Sequence, residues 1–169
     1  MSLKMFKIVS GRLVVSDPCY DINDIKDGLQ YQEKCHKGVW VCKVNKDNAG
    51  IICNLLCFHV DHKYNLSWTK TCTVGVDSGQ IGVFDKKYYQ SKESVTGVKY
   101  ESHHSPIDTT KRWYSVCSDK TLSDDRFGVI PFGAISNSGY GDGGYELKVS
   151  FSKDLLVNGA YITFVTEEN

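Results

Sequence analysis

The stretch Tyr145-Glu146-Leu147-Lys148-Val149-Ser150-Phe151 decides the fold class. Tyr145, Leu147, Val149 and Phe151 fall on one side of a two-residue repeat, and Glu146, Lys148 and Ser150 on the other. Successive side chains of a strand point to opposite faces, so this is a strand with one apolar and one wet face, as in an antiparallel sheet. Downstream, Ala160 to Thr166 reads as a second strand with apolar residues on both faces. The segment Ser152 to Gly159 joins the two as a hairpin, and Asn158-Gly159 is the dipeptide expected at its tight turn.

The same signals recur upstream. Lys7 to Val9, Arg12 to Ser16, Val39 to Val44, Ile51 to Val60, Leu66 to Val76, Ile81 to Phe84, Trp113 to Cys117 and Gly128 to Ile135 are rich in β-branched and aromatic residues. Lys46-Asp47-Asn48-Ala49-Gly50 marks a turn. Helix is scarce: Tyr20 to Cys35 is the main candidate, with one or two turns expected around Asp21 to Ile25 and Asp21 as N-cap, and another turn is expected at Lys86 to Gln90. Gln90 to Lys111 is polar and reads as a long excursion. The expected fold is mainly β, an antiparallel sandwich or partly open barrel with one or two short helices, and 169 residues suit one domain.

Twenty basic residues balance twenty acidic ones, so the chain lacks the basic field that nucleic-acid binding uses. No apolar run approaches the ~20 residues that span a bilayer, and the first residues lack the apolar core of a secretion signal. With seven cysteines, an odd number, reduced thiols and a cytoplasmic location are expected. Most of these cysteines neighbour Val, Ile or Leu and read as small core residues.

Cys53, Cys57, His59 and His62 lie within ten residues and resemble a metal-ligand set. On a strand, however, residues four apart are ~13 Å apart, too far for two thiolates on one zinc, and His59 and His62 would face opposite ways. Ser138-Gly139-Tyr140-Gly141 is not a nucleophile elbow, and the nearby glycines are not followed by the Gly-Lys-Ser/Thr of a phosphate loop.

The carboxylates carry more. Asp17, Asp77 and Asp85 end expected strands, and Asp142 sits inside Ser136 to Tyr145, a turn with four glycines in ten residues. Four aspartates on one rim would suit Ca²⁺ or Mg²⁺, whereas single aspartates at strand ends commonly accept backbone hydrogen bonds. The turn reads either as a bulge or tight hairpin, or as a ligand-contacting loop with Asp142 as acceptor or metal ligand and Tyr140 as a lid.

Three blocks, Ser16-Asp17-Pro18-Cys19-Tyr20, Val76 to Asp85 and Ser138 to Tyr145, occur in that order. The set resembles an uncharacterised family of bacterial and phage proteins, akin to domain of unknown function 4241. That resemblance implies no activity and transfers no catalytic residue. It does single out Asp17, Asp77, Asp85 and Asp142 together, since each lies within a block. The functional expectation is a small-ligand or protein-partner-binding module, with Asp17, Asp77, Ser78, Gln80, Asp85, Tyr140, Asp142 and Tyr145 as its site. Two alternatives stand beside it. One is a metal-dependent hydrolase holding a divalent ion on the strand-end aspartates. The other is a structural or interaction protein using its 12% aromatic residues.

Overall fold

The computed structural model describes residues 3–22, 29–99 and 109–166. Among them, eleven strands form two antiparallel sheets packed face to face, and neither sheet closes into a barrel. In chain order the strands are β1 (Lys4–Ile8), β2 (Arg12–Ser16), β3 (Tyr31–Lys34), β4 (Gly38–Lys46), β5 (Ile52–His59), β6 (Trp68–Val76), β7 (Gln80–Asp85), β8 (Phe127–Ile130), β9 (Gly133–Asn137), β10 (Gly143–Phe151) and β11 (Val157–Thr163). Helix α1 (Thr109–Thr121) precedes β8. One sheet runs β1-β4-β5-β11-β10-β6 and the other β3-β2-β7-β9-β8.

The inner faces meet in a core that includes Trp40, Leu55, Leu147 and Ile162 from the six-stranded sheet and Leu13, Val15, Ile81 and Val83 from the other. Each such fully buried aliphatic side chain contributes about 1.5–3 kcal/mol. The five-stranded sheet is covered on its second face as well. There Val14, Phe84 and Ile135 pack with Tyr89 and with Trp113, Val116 and Cys117 of α1. Phe84 and Trp113 have ring centroids 5.1 Å apart. Both faces of β7 are therefore buried along its whole length. Gly82 fits this crowding, because a Cβ there would lie 2.3 Å from the Ala134 carbonyl oxygen.

Several expectations are corrected. Trp113 to Cys117 is helical, not a strand: Trp113, Val116 and Cys117 stand at i, i+3 and i+4 and share the face that packs on Phe84. Gly128 to Ile135 is two strands, β8 and β9, separated by Pro131-Phe132. Asn158 and Gly159 are not the hairpin turn but lie inside β11. The turn is Ser152 to Leu156, closed by the Ser152 N–H on the Leu156 carbonyl at 2.9 Å. Tyr31 to Lys34, inside the helix candidate Tyr20 to Cys35, is strand β3, paired with β2. Residues 23–28 of the expected helix near Asp21, and 100–108 of the long excursion, lie outside the described residues. At the end of β10 the pairing with β11 shifts by one residue, with Asn158 of β11 as the extra residue; Ser150 is buried, with its Oγ accepting the Ser67 N–H, and the terminal Phe151 is 40% exposed.

Candidate functional site

The glycine turn is not a hairpin. β6 pairs with β10 in one sheet (Val76 with Gly143), and β7 pairs with β9 in the other (Gln80 with Asn137). The same two-stranded ribbon thus bends from one sheet into the other. Residues 77–79 make one side of the bend and 138–142 the other, a sandwich corner formed by strands that switch sheets. Across it the Ser138 N–H donates to the Gly79 carbonyl at 3.1 Å, and the Gly79 N–H donates to Asp142 Oδ1 at 2.9 Å. Gly139 and Gly141 take φ of +79° and +112°, which explains the glycines. The Gly141 carbonyl accepts from Ser138 Oγ at 2.7 Å and from the Tyr145 hydroxyl at 2.6 Å.

Asp17, at the end of β2, is fully buried beneath this corner. Its Oδ2 accepts the N–H groups of Asp77 (2.8 Å) and Ser78 (2.7 Å). Its Oδ1 accepts the Cys19 N–H (2.8 Å) and the Ser78 hydroxyl (2.5 Å). Four donors satisfy the carboxylate, so its charge is compensated within the fold. Tyr20 donates its hydroxyl to Asp77 Oδ2 at 2.5 Å. Burial, reinforced by Asp77, raises the Tyr20 pKa. Cys19 is the exposed cysteine here. Partial burial of its sulfur, then its hydrogen bond to Asp17, pushes the thiol pKa up to about 12, so it is not a poised nucleophile.

The expected site residues now separate. Asp17, Asp77, Ser78, Asp142 and Tyr145 meet at this corner, and Tyr140 stands on it, 76% exposed. Gln80 is buried and braces α1: its amide accepts the Thr121 hydroxyl at 2.8 Å and donates to Ser118 Oγ at 3.0 Å. Asp85 does not share the rim. It pairs with Leu13, four residues before Asp17, and therefore lies ~13 Å away at the other end of the β2–β7 pair. There it performs the same task in reverse. It accepts the Val9 N–H (2.7 Å), the Ser10 N–H (3.1 Å) and the Ser10 hydroxyl (2.5 Å) of the bend between β1 and β2, together with the Lys87 N–H (3.0 Å). Each aspartate, ending one strand of the pair, fastens the bend that leads into the other.

A second polar region was missed in the sequence. After β5 a single 3₁₀ turn, Val60–His62, curls the chain back, so His59 and His62 do not diverge. Their ring centroids are 5.2 Å apart, and His36 lies 4.3 Å from His62. His59 is committed within the protein, with Nε2 on the Lys37 carbonyl (2.8 Å) and Nδ1 accepting the Asp61 N–H (3.2 Å). His36 Nε2 meets Ser152 Oγ at 2.7 Å. Beside His62 opens a cleft of about 650 Å³ between the loop leading into β6 and the β10–β11 turn. Cys53 and Cys57 are buried core residues of β5. Among the described residues, no group of three or more His, Cys, Asp or Glu is arranged to hold a metal ion. None of the described helices is long and apolar enough to cross a membrane. No family model, curated protein or solved structure matches this chain.

Proposed function

We propose that this domain is a cytosolic binding module whose recognition surface is the ribbon corner of residues 77–79 and 139–145, fastened from beneath by Asp17. One observation carries the reading. Three segments some sixty residues apart are bonded into a fixed frame, through Asp17 to Ser78 and Asp142 to Gly79. That frame holds Tyr140, Asp77 and Asp142 exposed together. An exposed aromatic side chain beside carboxylates suits a ligand or partner surface that carries a cation next to an apolar group. Asp77 and Asp142 each give one oxygen to the protein and remain exposed for such a cation. The likeness of the three blocks to the family akin to domain of unknown function 4241 rests on these same segments.

The test is a protein-observed NMR titration with benzylamine and benzamidine. The reading expects amide shifts confined to residues 17–20, 77–80 and 139–145, and their loss in Asp77→Asn and Tyr140→Ala. Shifts elsewhere, or none, would overturn it.

A further inference from the structure

We infer that the cleft beside His62 is a second binding site, for a small neutral hydroxyl-bearing molecule of the monosaccharide or disaccharide class. It lies at the far end of β10 from the corner. Gly143 and Phe151 are eight residues apart in that strand, ~27 Å, so the two sites are separate. The cleft volume of about 650 Å³ falls within the range of small-molecule sites.

Its lining selects the chemistry. Two aromatic rings stand open at the cleft: Tyr64 is 89% exposed, and Phe151, the last residue of β10, is 40% exposed. Such rings cover the C–H faces of a sugar, while side-chain amides and hydroxyls take its hydroxyl groups. Asn65, Ser152 and Asn158 supply the polar partners. Lys153 and Asp154 add one charge of each sign, so the lining favours neither an anion nor a cation. Asn158 is fully buried, and its Oδ1 has no hydrogen-bond partner among the described residues. A buried acceptor without a donor is costly, and a ligand hydroxyl is a donor of the right kind. The opposite side of the same amide lies 3.5 Å from His62 Nδ1.

The walls are set before any ligand arrives. The Ser67 N–H donates to Ser150 Oγ at 2.9 Å, and the Asn65 N–H donates to the His62 carbonyl at 3.0 Å. The Ser152 backbone closes the β10–β11 turn while its hydroxyl meets His36. Gly159 lets Leu66 and Trp68 lie against β11, because a Cβ there would meet Trp68 at 2.8 Å. Fixed walls reduce the ordering cost of binding.

The experiment is an NMR titration of the intact protein with glucose, galactose, N-acetylglucosamine and maltose, with gluconate and inorganic phosphate as charged comparators. The expected result is millimolar binding of at least one sugar, with shifts confined to residues 62–67, 151–154 and 158. Tyr64→Ala and Phe151→Ala, both at exposed positions, should weaken it roughly tenfold. Absence of sugar shifts, shifts placed elsewhere, affinity unchanged in both variants, or tighter binding of gluconate or phosphate would each overturn the proposal. Failure here leaves the corner untouched, since its shifts map to the other end of β10.

Discussion

Ser78 gives its backbone N–H, at 2.7 Å, and its hydroxyl, at 2.5 Å, to the carboxylate of Asp17, sixty-one residues away in the chain. Through this pair the end of β2 fixes the point at which a β-ribbon passes from one sheet to the other. Asp17→Asn keeps the shape but replaces an acceptor oxygen by a donor facing N–H groups. It should cost at least about 3 kcal/mol in urea unfolding. Asp142→Asn, exposed and able to retain its acceptor, should cost less than about 1 kcal/mol. Equal losses for the two would remove Asp17 from its clasping role.

Asp85 fastens the bend before β2 as Asp17 fastens the bend before β7, so Asp85→Asn should destabilise by a similar ~3 kcal/mol without altering ligand binding at the corner. Paired unfolding curves and benzylamine titrations check this. Loss of binding with intact stability would show that Asp85 belongs to the site after all.

Much of this architecture is legible in the sequence, and the failures have physical causes. The alternation of Tyr145 to Phe151 identifies β10 until Ser150, which is buried because the segment at Ser67 and Trp68 covers it, a contact from a distant part of the chain. Trp113 to Cys117 reads as a strand because its residue types favour one, yet the i, i+3, i+4 spacing of Trp113, Val116 and Cys117 was the available helical signal. Asp17, Asp77 and Asp142 can be grouped by their turn contexts. That Asp85 lies at the opposite end follows only from the antiparallel pairing of β2 with β7, which no local pattern specifies. The histidine cluster joins β5, its 3₁₀ turn and the segment before β4, so spacing alone could not reveal it.

Burial first, then the neighbouring His62 and His59, lower the His36 pKa from its usual 6.5. The folded state therefore binds fewer protons than the unfolded chain in the window below 6.5. Stability should rise with pH through that window and fall as pH drops toward the folded pKa. In His36→Gln the slope between about pH 5 and 7 should be shallower. Thermal melts across that range, wild type against variant, provide the check, and identical slopes would contradict it.

Cys19 should be alkylated slowly despite its exposure, because its thiol pKa stands at about 12. At pH 8 its thiolate fraction is more than roughly a thousandfold below that of free cysteine; with the greater nucleophilicity of a more basic thiolate, its reaction with iodoacetamide, followed by peptide mass mapping, should be about a hundredfold slower. Removing the adjacent charge in Asp17→Asn should accelerate it. A rate equal to that of free cysteine would refute the assigned environment.

The most direct measurement of the corner's role is the benzamidine dissociation constant of wild type and Tyr140→Ala, taken with melting temperatures on the same samples. The expected result is binding weakened roughly tenfold or more with a melting temperature unchanged within about 2 °C, because Tyr140 stands in solvent and supports no core. Unchanged affinity in the variant would contradict a recognition surface at this corner.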